Sequence, residues 1–147
     1  MDAVALRRRI QDAFSVVARP GRDAIAPHRC VECDELRDDL ASYTCDAVPI
    51  EMLGKHVWDL PLLSSEAKQY FLPAWLTASL IESGWDFTDA AIQDINSNHR
   101  YDPPSGYTDD QWQVLLEWLD HHAETGDMVT KENAQRAKAS AGGRSEA

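Results

Sequence analysis

An all-α fold is what this sequence predicts. Three observations carry it. Apolar residues recur at the i, i+3, i+4 spacing of a helix in several separate segments, no stretch shows convincing β alternation, and Thr108-Asp-Asp-Gln111 is a capping box ahead of an apolar run. The expected architecture is a single compact domain of about five helices over residues 2–126, followed by a flexible or weakly helical tail over 127–147.

Asp2 can cap a first helix in which Leu6, Ile10, Ala13, Phe14 and Val17 share a face. Arg7, Arg8 and Arg9 fan around that helix, with Arg8 outermost, so they form no single basic patch. Pro20-Gly21 ends it, and residues 19–29 read as a loop. A second helix is expected from near Cys30 to about Tyr43, with Cys33, Leu36, Leu40 and Tyr43 on one face and Glu32, Asp34, Glu35, Asp38 and Asp39 on the other. Residues 44–63 read as irregular, with one helical turn at 49–53 and room for a short hairpin.

Ser64 and Ser65 can cap a helix from Glu66 to about Ser83, which Pro73 should kink or restart because it supplies no backbone donor. Its apolar residues lie nearly all round, the pattern of a central helix. Thr88 is read as the cap of a shorter helix carrying Ala91, Ile92 and Ile95, and residues 96–107 as a long loop. After the capping box, Trp112, Leu115, Leu116 and Leu119 form one stripe, closed by Gly126. Val114 and Trp118 lie beside that stripe and need a second packing partner, inside the fold or outside it. Beyond residue 130 the sequence suggests a weak helix to about Ala139 and a disordered end.

The chain has 147 residues, 44% hydrophobic and 27% charged, which suits one domain. Such a length buries roughly 70% of the unfolded surface, enough for a core without disulfides. Three cysteines, an odd number, fit a reducing compartment. The N-terminus shows no secretory pattern and no run of apolar residues is long enough to span a bilayer, so a cytoplasmic setting without membrane contact is expected.

Fourteen bases against 25 acids give a net charge of −11, which disfavours a nucleic-acid partner bound through phosphates. The charge is uneven. Residues 30–129 hold four bases against twenty acids, while both ends are mildly basic.

His28-Arg-Cys30-Val-Glu-Cys33 is the one segment that departs from core-and-surface patterning. Thiolates and imidazole bind zinc in tetrahedral sites, and a C-x2-C pair leading into a helix lets two sulfurs chelate one ion. Cys45 or His56 would complete a set of four. The ordinary alternative is that Cys33 is a small buried hydrophobe beside Leu36 and Leu40. A thiol-disulfide enzyme would use the same pair, but its usual strand-to-helix context is missing.

Glu117, His121 and His122 on the last helix, and His99 in the polar loop, read as surface residues rather than catalysts. No nucleophile elbow, phosphate loop or H-E-x-x-H pair is present.

The stretch His28 to Leu36, Trp58, Tyr70-Phe-Leu-Pro-Ala-Trp-Leu76 and Tyr107-Thr-Asp-Asp-Gln111 together resemble an uncharacterised family of small bacterial proteins with an H-x-C-x-E-C opening and an L-P-A-aromatic-L core helix. The resemblance covers roughly residues 5–122 and implies no activity. It does imply that His28, Cys30, Glu32 and Cys33 act as a unit.

Two function classes follow, ahead of a metal- or thiol-dependent enzyme. The first is a non-enzymatic binder of a protein with a basic surface, in the manner of an immunity or antitoxin-like protein, through Glu35, Asp38 and Asp39 with Trp85 or Trp118. The second is a zinc-stabilised structural domain with His28, Cys30, Cys33 and one of Cys45 or His56 as ligands.

Overall fold

The computed structural model describes residues 2–81, 86–96 and 106–146, with side chains described through residue 139. Among the described residues the protein is all-α and contains no strand, so the hairpin left open for residues 44–63 does not form. The described residues form seven α-helices, two more than expected: α1 (Ala3–Phe14), α2 (Val31–Leu40), α3 (Ile50–Lys55), α4 (Ser65–Ile81), α5 (Phe87–Asn96), α6 (Asp109–Thr125) and α7 (Met128–Glu146). Short 3-10 turns at Arg22–Ala24, Cys45–Ala47 and Leu60–Leu62 link the early elements. No described helix is long and apolar enough to cross a membrane.

α4 is the central helix. It packs against α1 and α5, and α6 lies across α1 and under α7. Its apolar residues face several neighbours at once, and Phe71, Leu72, Trp75 and Leu76 are all buried. α4 runs unbroken through Pro73, where the sequence suggested a restart. Ser64 caps it, accepting the Ala67 amide at 3.0 Å and donating to the Ala24 carbonyl at 2.5 Å. The same residue's amide donates to Ile25 at 2.9 Å, which ties the early loop to the start of the core helix.

α6 starts with the expected capping box, Thr108 and Gln111 exchanging hydrogen bonds at 3.1 and 3.0 Å. Its buried face is rotated from the expected stripe. Val114, Leu115, Trp118 and Leu119 are buried, while Trp112 and Leu116 are half-exposed. The cause is α7, which covers a side of α6 that would otherwise face solvent.

That cover also changes the reading of the tail. Residues 128–146 form a 19-residue helix on α5 and α6, with Ala134 and Ala137 fully buried and Lys138 paired with Asp120. The turn into α7 demands Gly126, because a Cβ there would stand 2.7 Å from both the His122 carbonyl oxygen and the Thr130 side chain. α5 begins two residues earlier than expected, after Asp86 in a left-handed conformation (φ 56°), so Thr88 lies inside its first turn rather than capping it.

Candidate metal centre

α2 is capped by a cysteine. Cys30 has extended backbone angles and its sulfur accepts the Cys33 amide at 3.4 Å. Oxygen side chains are the usual caps and sulfur is a weak acceptor, so the helix gives up cap strength to hold a thiol at this position. The i, i+3 spacing then stacks Cys33 on the same side one turn later, fully buried. His28, in the loop before α2, brings its Nδ1 to 4.0 Å from the Cys33 sulfur.

A buried arginine that the sequence reading passed over positions His28. Arg37 occupies the i+4 place of the Cys33, Leu36, Leu40 stripe, where an apolar residue is the norm, and its side chain is buried. Its Nη1 donates to the carbonyls of Ala26 (2.5 Å) and His28 (3.1 Å), and its Nη2 pairs with Asp34. One guanidinium therefore fastens the 26–28 backbone to α2 and sets where the imidazole can reach. The misplaced charge in the stripe was the available signal.

Together the ligand atoms of His28, Cys30 and Cys33 lie within 4.8 Å of one another, so the group has the donors and the spacing to hold a metal ion. Tetrahedral zinc with ordinary bond lengths needs a sulfur-to-nitrogen separation of about 3.6 Å. The observed 4.0 Å is a few tenths of an ångström wider, within reach of small side-chain rotations. Burial, followed by the hydrogen bond with Cys30, pushes the Cys33 thiol up to about 11. At neutral pH it keeps its proton unless a cation replaces that proton.

Neither expected fourth ligand joins the three. Cys45 lies in its own 3-10 turn against α4, its amide donating to the Tyr70 hydroxyl at 3.2 Å and its sulfur 3.9 Å from the Phe71 carbonyl, and burial pushes its thiol up to about 12. His56 has both ring nitrogens engaged, Nδ1 with Asp59 and Nε2 with Asp39, each at 2.7 Å. Both residues are consumed by local packing that sequence spacing does not reveal. Among the described residues the set is three, one donor short of a tetrahedral four.

Four acidic residues of α2 also have partners within the chain, Asp34 through Arg37 and the others through cations of neighbouring segments. Glu35 pairs with Lys55 at 2.7 Å, Asp39 with Lys55 at 2.9 Å and with His56, and Asp38 with the Nε of Arg22 at 3.1 Å. Trp118, expected at a partner surface, is instead 0% exposed, and its indole donates to Ser79 Oγ at 2.9 Å. α6 meets α4 there, which supplies the second packing partner that it needed. Among the described tryptophans Trp58 is the most exposed, at 50%. Glu117 pairs with Arg9 at 3.2 Å rather than with His121. Trp85 and His99 lie outside the described residues.

No family model, curated protein or solved structure matches this chain.

Proposed function

We propose that this protein binds zinc through His28 Nδ1, Cys30 Sγ and Cys33 Sγ, as a metal-stabilised helical domain whose fourth coordination position is filled from outside the chain. The observation that carries the reading is the meeting of these three donors within 4.8 Å at the head of one helix. Two thiolates and an imidazole suit zinc, and water or a donor from a bound molecule completes the tetrahedron. The ion would lock the 26–30 loop onto α2. Because α4 to α7 supply much of the apolar core from residues that are not ligands, removing zinc should cost less than the roughly 10–16 kcal/mol seen where the metal alone drives folding.

The test is metal content measured on protein purified without added zinc. One zinc per chain is expected, falling to near zero in Cys30→Ser and Cys33→Ser and unchanged in Cys45→Ser. A near-zero content in the unaltered protein, or retention of zinc by Cys33→Ser, rejects the reading.

A protein partner with a basic surface, of the immunity or antitoxin type, is the second reading, favoured by the half-exposed Trp58 on a chain of net charge −11. Its contacts would centre on Trp58 rather than on Trp118. Calorimetry against a basic toxin encoded beside this protein should show binding that Trp58→Ala weakens at least about tenfold. Equal binding by that variant rejects Trp58 as the anchor.

A further inference from the structure

A groove follows the seam of α1 and α4, walled by the Cys45–Ala47 turn and α3. It consists of two cavities, about 260 and 390 Å³, that share Gln11, Cys45, Asp46 and Pro73. The helices run antiparallel along it. Arg7 and Ile81 stand at one end, Phe14 and Tyr70 at the other. Together the cavities fall in the size range of small-molecule sites.

Its lining sorts by chemistry. Leu53, Ala74 and Ala78 are buried apolar residues of the groove wall, and small alanines on α4 are what leave the space open. At the Arg7 end the only cation is Arg7 itself, which is exposed and makes no ion pair among the described residues. Its neighbour Arg9, by contrast, is spent on Asp110 and Glu117. An unpaired guanidinium at the mouth of an apolar trough recognises a carboxylate by bidentate hydrogen bonding. Midway along the groove is the Asp46 carboxylate, which accepts the Thr44 hydroxyl at 2.8 Å and penalises a second negative charge on any ligand.

We propose that this groove binds a single-chain monocarboxylate amphiphile, with its carboxylate on Arg7 and its hydrocarbon chain along Ala78, Ala74 and Leu53 toward Phe14. From Arg7 to Phe14 the helix advances about 10 Å. A zigzag chain gains about 1.3 Å per carbon from bonds of about 1.5 Å, so roughly eight carbons span the trough. The site is separate from the metal centre and does not depend on zinc.

The experiment is isothermal titration calorimetry of the full chain with octanoate and decanoate below their micelle concentrations, beside decylamine. Binding of the carboxylates is expected, weakened at least about tenfold in Arg7→Gln and unchanged in Arg8→Gln, which removes the same charge from the outermost position of α1. Ala74→Leu, which fills the trough, should abolish it. Should that variant fail to fold, as circular dichroism would show, Arg7→Gln still decides. No heat with either carboxylate, equal affinity in Arg7→Gln, or equally tight binding of decylamine overturns the proposal.

Discussion

Two buried histidines sit in opposite electrostatic states. His56, 2% exposed, lies between Asp39 and Asp59, and a carboxylate at each ring nitrogen requires both to carry hydrogen. Burial opposes its charge, but the hydrogen bonds to Asp59 and Asp39 outweigh that cost and hold its pKa above the ordinary histidine value. His122, 7% exposed, makes no hydrogen bond or ion pair with a carboxylate among the described residues. Its Nε2 is 3.2 Å from Ser79 Oγ, and its ring meets Trp118 edge-on at 4.6 Å. Burial, followed by the neighbouring His121, lowers it to about 4. Desolvation is common to both; the partners within 3 Å set the sign.

The hydrogen inventory around Ser79 fixes the tautomer of His122. Ser79 Oγ is 2.6 Å from the Leu76 carbonyl, which can only accept, and receives the Trp118 indole N–H at 2.9 Å. Its single proton goes to Leu76, so His122 Nε2 is the donor; with burial lowering the imidazole to about 4, the ring at neutral pH is the neutral Nε2–H tautomer.

The largest expected effect separates the two histidines by pH. His122 is depressed in the fold, so the unfolded chain takes up its proton first as pH falls, and stability is lost from about pH 6.5 down to about pH 4. That gap corresponds to about 3 kcal/mol. Urea midpoints measured across this range should show the loss, and His122→Gln should remove most of the acid-side slope.

His56 works in the other direction. Its stabilisation is complete below the unfolded value of about 6.5 and is lost as pH rises through its raised folded value. His56→Leu leaves Asp39 and Asp59 facing a hydrocarbon, and should cost about 2 to 3 kcal/mol at pH 6, the low end for a broken buried pair because both carboxylates are partly solvated. Equal stability of this variant and the parent at pH 6 would show that the two carboxylates do not need the imidazolium.

Ser79→Ala should cost about 2 kcal/mol in the same assay by stranding the Trp118 and His122 N–H groups. A cost near zero would contradict the tautomer assigned to His122. The smallest effect expected is for Asp59→Asn, about 1 kcal/mol, because Asp39 retains both His56 and Lys55. Its sharper readout is the imidazole titration by NMR, which should move down toward the ordinary histidine value.

How far the sequence could be read follows the same division. The capping box at Thr108, the Ser64 cap and the Leu6, Ile10, Phe14 face were legible, because each is set by residues within one or two turns. The α6 face was not, because distant elements set it: Trp118 meets Ser79 on α4, 39 residues away, and α7 covers α6 while burying two small alanines, Ala134 and Ala137, that carry little hydrophobic signal of their own. At the candidate metal centre Cys30 and Cys33 were legible for the same local reason. Exclusion of Cys45 and His56 was not, since their partners Tyr70 and Asp39 lie 25 and 17 residues away.

By itself, then, the sequence determined an all-helical chain, most of its helix starts, and two thiols one turn apart at the head of α2. Hydrogen-bonded turns and side-chain stacking act over three or four residues, so composition and spacing suffice for them. Tertiary structure alone decided that His28 reaches the thiols under the hold of Arg37, that Glu35, Asp38 and Asp39 of α2 are paired within the chain, and that one buried histidine is charged while another is neutral. Those outcomes depend on which distant groups come within a few ångströms, such as Ser79 and His122, 43 residues apart, and periodicity carries no information about such meetings.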